Sequence, residues 1–434
     1  MGRLDHCRAL VVRLLSFWAA ILLSFCAIGT ASAQDAVTPS DRVRRNVVVR
    51  AEPTTDSAAL DRLVPGDQVQ LGGEEPGWYR IRLPDGREGF VSKAWTVLIE
   101  GPDAAAGGAF RVHVIDVGTG LAVFAEGPGF TLLYDAGSQD DLADGPENRV
   151  VAYIRGVRPN VRVLDHVILS HPHKDHLELM PDVFDAFEVR NVWESGRVNR
   201  TVGYCRFLRK VAAEPGVLYH DALASNAVRT VTFTGSSCNG DVNVAQAAQM
   251  TGAPVSLGAG ARMSVLYRDA HPYSDPNGNS VVVRLDLGGR RVLLTGDAEG
   301  GDREPTSTPP RPNSIEGRLL VCCRSDLAAD VLVVGHHGSL TSSRDAFLDA
   351  VGADFYAVSS GPQAYRGVVL PDREVIDELA SRGRVFRTDV DDDACEVATA
   401  KIGPDADESP GGCSNILFEI SGTGIIASYA SLAD

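Results

Sequence analysis

Three histidines and an aspartate lie within six consecutive positions of the stretch SHPHKDHLELM, which runs from Ser170 to Met180. His171 and His173 are two residues apart, so a loop can turn both rings towards one metal ion. Asp175 and His176 follow directly, so the same turn can present them to a second ion. The spacing predicts half of a two-metal site, in which the ions lie roughly 3.5–4 Å apart.

Two later strands end in the other residue types that such a site needs. The stretch GRRVLLTGDAEG ends a predicted strand at Asp297, where a carboxylate can bridge two ions. The stretch ADVLVVGHHGS ends another at a histidine pair, His336 and His337, either of which can supply the distal ligand. Asp135 closes a further apolar strand, TLLYDAG. Residues at such strand ends meet at one rim of a sheet, so these side chains can converge on the histidine loop.

A smaller region precedes these strands. Over residues 41–98 the short runs VVVR, DQVQLG, WYRIRL and EGFVSK alternate with Pro, Gly and Asp turns, which is typical of a small all-β barrel. Residues 99–110 are rich in Gly and Ala and are predicted to form a linker. The strands with the metal-type residues then form a second domain over residues 111–431.

The first 33 residues have the pattern of a secretory signal. Arg3, Arg8 and Arg13 precede or enter an apolar run, and Ala31–Ala33 supplies small residues for cleavage after Ala33. An uncleaved membrane anchor is the alternative interpretation. No later stretch has the roughly 20 apolar residues of a membrane span. We therefore expect a bacterial protein that is exported to the periplasm or beyond.

The charge of the chain limits its partners. The 434 residues have a formal net charge of −16. Neutralising the phosphates of long nucleic acids needs an excess of Lys and Arg, so we expect no stable binding of duplex nucleic acid. Transient action on a nucleic acid remains compatible with this charge.

Two of the eight cysteines leave with the predicted signal. The other six lack the C-x-x-C spacing of a zinc knuckle, and in an exported protein they predict disulfides. The adjacent Cys322 and Cys323 are expected to be hard to bridge to each other. The pairs that would join locally close segments are Cys205 with Cys238 and Cys395 with Cys413.

The barrel region resembles the bacterial SH3-like (SH3b) family. The resemblance is carried by VVVRAEP, VPGDQV, GWYRIRLPDGREGFV and Trp95, and it spans residues 41–98. Members of that family often attach secreted bacterial enzymes to the cell wall or to partner proteins, so the resemblance implies an anchoring role. A stable spacer without a ligand is the alternative.

The second domain resembles the metallo-β-lactamase fold, an α/β fold of the αββα sandwich type with metals at its rim. The resemblance is carried by SHPHKDH, LYDAG, TGDAE and VGHHGS in this order. More narrowly, VHVIDVGTG, GHHGSLTSS and FRTDVD are similar to the soluble hydrolase domain of ComEC-type competence proteins. The resemblance implies two divalent ions, with zinc favoured and manganese the alternative. It assigns His171 and His173 to the first ion, Asp175 and His176 to the second, Asp297 to the bridge, His336 to the distal position, and Asp135 to holding the histidine loop.

The chain also departs from the ComEC pattern. Leu121 stands where an aspartate is usual, LELM follows the Asp-His pair in place of two glycines, and YRGVVLPDREV lacks a His-Pro element. The third ligand of the first metal has no clear match. Asn279 in NGNSV is a weak substitute, and His271 and His220 are further candidates. We therefore expect the first metal to be open or loosely held.

These residues favour hydrolysis, because two metals activate water and polarise the electrophile at once. Asp175 and Asp297 are the catalytic candidates, since either can orient the attacking water. Ser339 is a candidate for bonding substrate oxygens, with stabilisation of its own turn as the alternative. We expect a phosphodiester substrate that is small or local. A hydrolase of carboxylic esters, lactones or β-lactams is one alternative, and a non-catalytic metal-binding envelope protein is another.

Overall fold

The computed structural model describes residues 36–99, 110–390 and 410–430, apart from residues 41, 66, 68, 76, 84–86, 142 and 225–227. The predicted signal peptide, all of the predicted linker except its two end residues, and Cys395 lie outside the described residues. The chain divides into two compact units between residues 103 and 104.

The first unit is a small all-β domain, as the sequence predicts. Its strands pair antiparallel in the order β3-β2-β6-β5-β4-β1-β7. Alternate residues such as Val47, Val49, Ile81 and Val91 point inwards and form its apolar core. The strands are β1 Ala36–Pro39, β2 Val47–Arg50, β3 Ala59–Leu63, β4 Val69–Glu75, β5 Trp78–Arg82, β6 Glu88–Ser92 and β7 Thr96–Ile99.

The second unit contains a larger sheet of ten strands in the order β14-β15-β13-β12-β11-β10-β9-β8-β25-β26. The strands from β10 to β13 run parallel to one another, and β13 also pairs parallel with β15. The strands are β8 Phe110–Val114, β9 Ala122–Gly127, β10 Phe130–Ala136, β11 Val163–Leu169, β12 Glu188–Glu194, β13 Leu218–Asp221, β14 Val228–Thr234, β15 Asn239–Gln249, β25 Ile416–Ser421 and β26 Gly424–Tyr429.

A second sheet of this unit has seven strands in the order β16-β17-β18-β19-β20-β21-β24. Its strands β19, β20, β21 and β24 run parallel. A separate hairpin is formed by two short strands, β22 Ala364–Tyr365 and β23 Val368–Val369. The other strands are β16 Val255–Gly258, β17 Ala261–Tyr267, β18 Val282–Leu287, β19 Arg290–Leu294, β20 Val331–Val333, β21 Phe355–Val358 and β24 Arg384–Arg387.

Helices cover the outer faces of both sheets, which makes the second unit the αββα sandwich that the sequence predicts. Apolar side chains of the two sheets pack between them, and a further apolar cluster lies under the helices on each side. The helices are α1 Arg149–Val157, α2 Lys174–Leu177, α3 Met180–Ala186 and α4 Val202–Ala213 in the first half, and α5 Ile315–Cys322, α6 Asp345–Val351 and α7 Arg373–Arg382 in the second. Short 3-10 turns span Gly145–Glu147, Pro276–Asn279, Arg324–Asp326 and Gly335–Gly338.

The parallel strands direct four loops towards one rim. Strand β10 of the larger sheet ends one residue after Asp135, and β11 of the same sheet and β19 and β20 of the smaller one each end a few residues before a predicted site residue. The apolar strands therefore position polar side chains that are distant in sequence. None of the helices in the described ranges combines the length and apolar character needed to cross a bilayer.

Two disulfides lie within the described residues. Cys205 on α4 is bonded to Cys238, which confirms the predicted pair. The expectation that Cys322 and Cys323 do not bridge each other is wrong, because the structure joins them. Helix α5 ends between them, and Cys323 has left the helical conformation with φ −144° and ψ 25°. Because Cys395 lies outside the described residues, its pairing with Cys413 stays a prediction.

Candidate metal centre

The first set of metal donors lies in the loop after β11 and at the end of β19. The Nε2 atom of His171 is 3.0 Å from Nδ1 of His173 and 3.6 Å from Oδ2 of Asp297. All three donor atoms lie within 4.8 Å of one another. Ligands at about 2 Å from a common ion have separations of this order. The structure therefore brings these three residues together as predicted from the sequence.

The second set is formed by Asp175, His176 and His337, all of which are buried. The Nε2 atoms of the two histidines are 3.3 Å apart, and Nε2 of His337 is 3.4 Å from Oδ2 of Asp175. Helix α2 presents Asp175 and His176 on consecutive positions. These donor atoms also lie within 4.8 Å of one another, so they can hold a second ion.

The carboxylate of Asp297 faces both sets. Its Oδ2 is the atom next to His171, whereas its Oδ1 lies 3.1 Å from Nε2 of His176 and 3.6 Å from Nε2 of His337. Oδ1 is buried and accepts no hydrogen bond from any residue that the structure describes. A buried carboxylate oxygen is costly to leave without a partner. The orphaned oxygen therefore fits a bridging role between two cations.

The structure places His337, rather than the predicted distal ligand His336, in the second donor set. The backbone of both residues is in the left-handed region, with φ of 48° and 54°, so the two side chains leave the turn in different directions. The ring of His337 is buried in the second donor set and its Nδ1 donates to the carbonyl of Ser359 at 2.8 Å. This bond leaves the lone pair of Nε2 facing the cleft.

His336 lies instead on the side of the first donor set. Its Nε2 is 3.8 Å from Oδ2 of Asp297 and 3.3 Å from the side-chain amide of Asn277. Its Nδ1 is held by Thr341 at 2.6 Å and lies 3.1 Å from a carboxylate oxygen of Glu299. The sequence offered no clear third histidine for the first set. His336, from the same Gly-His-His-Gly turn as His337, lies close enough to Asp297 to be a candidate for that position.

Asp135 holds the histidine loop, as the resemblance implies. Its carboxylate accepts hydrogen bonds from the amide and the hydroxyl of Ser170, both at 2.6 Å, and from Nδ1 of His176 at 2.8 Å. The neighbouring Gly137 allows the end of β10 to approach α2 closely, because a Cβ at this position would lie 2.1 Å from the amide nitrogen of His176. This contact explains why a glycine follows Asp135 in the LYDAG stretch.

Charge in the metal-free protein is arranged around the same atoms. Burial lowers the pKa of His176, but Asp297 and Asp135 outweigh it and hold that pKa well above its usual value. Burial raises the pKa of Asp297, but His176 and His336 outweigh it and keep that pKa well below its usual range. Burial, with the nearby charge of His176, lowers the pKa of His171. Ionised carboxylates beside a neutral imidazole are the donors that a divalent cation requires.

The donors open into a cleft of about 970 Å³, in which Tyr365, a residue without a predicted role, contacts the second donor set. The hydroxyl of Tyr365 donates a short hydrogen bond to the carboxylate of Asp175. Its ring is nearly parallel to that of His337, with an angle of 9° and a centroid distance of 6.4 Å. Tyr365 comes from the β22–β23 hairpin and has none of the spacing of a metal motif, so no signal in the sequence indicated it.

Several sequence candidates are not at the centre. The amide nitrogen of Asn279 donates to the carbonyls of Asp269 and His271 and holds that loop, and Asn279 is not among the residues that line the cleft with the donors. His271 is exposed, and its ring packs against Tyr273. The ring of His220 stacks on Trp193 and lies 3.1 Å from the side-chain oxygen of Asn191. Both partners belong to β12, so this ring packs within the larger sheet.

Ser339 lines the cleft, and its hydroxyl oxygen accepts hydrogen bonds from its own turn. The donors are the backbone amide and the hydroxyl of Thr341, at 3.3 and 3.2 Å. Arg303 also donates to it at 3.2 Å. These contacts correspond to the turn-stabilising alternative for Ser339.

Each of the two units matches a family model. Residues 45–97 match the bacterial SH3 domain, and residues 115–200 and 263–361 match the metallo-β-lactamase superfamily. The two matched parts of the second unit include all of the donors described above.

Among individual proteins, the chain is 36% identical over 118 residues to the competence protein ComA of Neisseria gonorrhoeae, covering 27% of this chain and 15% of that protein. It is 25% identical over 252 residues to recombination protein 2 of Haemophilus influenzae, covering 58% of this chain and 24% of that protein. The chain thus spans less than a quarter of the length of either relative. A similar solved structure is the metallo-β-lactamase fold protein YhfI of Bacillus subtilis, with 14% identity, a TM-score of 0.38, and coverage of 65% of this chain and 97% of that one.

Proposed function

We propose that this chain, which carries a bacterial SH3 domain ahead of a metallo-β-lactamase superfamily domain, is an exported hydrolase that cleaves phosphodiesters with two divalent metal ions. The observation that carries the proposal is the carboxylate of Asp297, whose two oxygens face two separate sets of donors. Nitrogen donors outnumber carboxylates in these sets, and imidazole suits zinc better than manganese.

Two divalent ions, when bound, supply a water of lowered pKa and a Lewis acid for the electrophile. The protein contributes orientation. Asp135 and the carbonyl of Ser359 fix Nδ1 of His176 and His337, so each Nε2 presents a lone pair towards the second site. The carboxylates of Asp175 and Asp297 stand on the cleft side, where they can orient the attacking water and accept its proton.

Three cationic side chains can contact an anionic substrate in a cleft that also carries acidic side chains outside the donor sets. Lys174, Arg303 and Arg366 line the cleft that contains the donors. A monoanionic phosphodiester matches both the cations and a two-metal centre, whereas a carboxylic ester carries no charge for them to recognise. The likeness to a competence protein and a recombination protein supports a phosphodiester as well. The net charge of −16 favours a small or local substrate over long duplex DNA.

The test is metal content together with a substrate panel on the full exported chain. We expect about two metal ions per chain and hydrolysis of bis-p-nitrophenyl phosphate that chelation abolishes and zinc or manganese restores. Asp297→Asn should remove both metal and turnover. Asp286→Asn is the matched control, because Asp286 is a carboxylate of the same sheet that pairs with Arg284 and Arg291 away from the cleft.

Other outcomes would contradict the proposal. Faster turnover of nitrocefin or p-nitrophenyl acetate than of the phosphodiester would favour the ester or β-lactam alternative. Fewer than about one ion per chain would exclude the two-metal centre. Two bound ions without turnover of any of these substrates would favour the non-catalytic alternative.

We also propose that the first unit anchors the protein in the envelope. Trp95 is 52% exposed there, with the guanidinium of Arg42 stacked 5.6 Å from its ring centroid. Sedimentation of the full chain with isolated cell wall should retain it, and a chain that begins at residue 104 should stay in solution. Equal behaviour of the two would favour the spacer alternative. Export predicts that the N-terminus of the mature protein begins at residue 34.

A further inference from the structure

The β22–β23 hairpin has an unfavourable backbone at its tip. Ala364 pairs with Val369 and Tyr365 with Val368, so the turn consists of Arg366 and Gly367 alone. Both have positive φ, 50° and 86°. Two-residue turns with positive φ at both positions favour Asn-Gly, and a long side chain at the first position is disfavoured. Arg366 is therefore held in a strained backbone conformation. Strained residues of this kind are common at binding sites.

The hairpin is held against the metal donors. The hydroxyl of Tyr365 donates to the carboxylate of Asp175, and its ring lies nearly parallel to that of His337. The amide of Gln139 also reaches this hydroxyl, at 3.5 Å. Arg366 is the next residue after this anchored tyrosine. Its position relative to the second donor set is therefore fixed by the neighbouring side chain.

Arg366 differs from Arg303 in its partners. Arg303 also lines the cleft, and its guanidinium forms an ion pair with Asp372 and donates a hydrogen bond to the hydroxyl of Ser339. Arg366 is exposed and lines the cleft, and it forms no ion pair or hydrogen bond with the residues that the structure describes. The cleft lining also contains acidic residues outside the donor sets, including Glu178 and Glu299. None of these carboxylates forms an ion pair with Arg366 in the part of the chain that the structure describes.

We propose that Arg366 binds an anionic oxygen of the substrate and makes the cleft selective for charged phosphodiesters. The inference rests on the proposed function and names a residue that determines its substrate class. A guanidinium offers two parallel N–H donors that match the oxygens of a phosphate. The strain at the turn, the anchoring by Tyr365 and the unpaired charge are explained together by this contact.

The test is Arg366→Asn, which removes the charge while supplying a residue that tolerates the positive φ of the turn. A charged hydrogen bond contributes roughly a tenfold to hundredfold effect on binding. We expect KM for bis-p-nitrophenyl phosphate to rise about tenfold, with the melting temperature unchanged or higher. Arg373→Asn is the matched control, because Arg373 is 92% exposed on α7 and, among the described residues, pairs with Asp377 of its own helix alone. A lower melting temperature with an unchanged KM would assign Arg366 a structural role and overturn the proposal.

A binding measurement separates this proposal from the proposed function. Calorimetric titration of the zinc-loaded protein with diphenyl phosphate needs no turnover. Weaker binding by Arg366→Asn, by about tenfold, supports the contact even if the wild-type protein hydrolyses no phosphodiester. Equal affinities of wild type and variant, or no binding of diphenyl phosphate to the wild type, overturn it.

Discussion

Replacing Asp135 with asparagine tests whether a residue behind the ligands sets the second metal site. Asp135 is buried and has a φ of 59°, a conformation that asparagine tolerates, so the backbone should be preserved. Its Oδ1 accepts from the amide of Ser170. Its Oδ2 accepts from the hydroxyl of Ser170 and from Nδ1 of His176.

The substitution changes the tautomer of His176. An amide nitrogen in the position of Oδ2 is a donor, so Nδ1 of His176 must become an acceptor and its proton must move to Nε2. That Nε2 lies 3.1 Å from Asp297 and 3.3 Å from His337, where a ligand needs a lone pair. Loss of such an outer partner typically lowers metal affinity by about 10- to 100-fold, or roughly 1.4–2.7 kcal/mol. We expect this loss at the second site only.

The assay is competition with a chromophoric chelator, which resolves the two dissociation constants for zinc. One constant should increase by about 10- to 100-fold in Asp135→Asn and the other should change little. Asp165→Asn is the control, because Asp165 accepts from Thr131 and pairs with Arg190 away from the metals. If both constants of Asp135→Asn stay within about twofold of the wild type, the tautomer argument is refuted.

Four further predictions concern the ligand pair, two effects of pH, and a disulfide. His337→Ala should lower zinc content by about one ion per chain, whereas His336→Ala should weaken the first site without emptying the second; elemental analysis and chelator competition distinguish them. The raised pKa of His176 keeps its ring protonated in the metal-free protein. Zinc binding should therefore release this proton, and the affinity for zinc should increase as pH rises. Calorimetry in buffers of different ionisation enthalpy measures the number of protons released. Protonation of His176 also stabilises the metal-free fold. This stabilisation is complete below the usual histidine pKa of about 6.5 and is lost as pH rises through the higher pKa of the folded state. The melting temperature of the metal-free protein should therefore fall as pH rises between these two pKa values. Cys205→Ala, which opens the 33-residue loop to Cys238, should cost about 3.7 kcal/mol of unfolding free energy in denaturant titration, and no change in that free energy would contradict a stabilising role of the disulfide.

The histidine loop could be predicted from the sequence because its geometry is local. His171, His173, Asp175 and His176 follow one apolar strand, and a single loop with one helical turn brings them together. Asp297 could be predicted for a related reason, since it follows the end of a buried strand whose direction fixes the rim it reaches. The αββα layers follow from the same alternation of apolar strands and helices with one apolar face.

The parts that could not be predicted depend on backbone conformations that the residue letters do not specify. His337 joins the second donor set whereas His336 lies beside Asp297, and both residues adopt the left-handed conformation. The NGNS stretch folds into a 3-10 turn that brings Asn277 near His336 and uses Asn279 to hold another loop. Tyr365 contacts Asp175, which is 190 positions away in the sequence. It does so from a hairpin that the sequence marks weakly, through the Arg-Gly pair of its turn.

The division of the donors between the two sheets determines what metal loss can do. His171, His173, Asp175 and His176 follow a strand of the larger sheet, whereas Asp297, His336 and His337 follow strands of the smaller one. Bound ions would therefore join the two rims. Apolar packing also joins the sheets, and the hydroxyl of Tyr134 donates to the carbonyl of Val281 at 2.7 Å. Because this core does not depend on the ions, removing metal should loosen the rim, where the buried oxygen of Asp297 loses its counter-charge, while the sandwich stays folded.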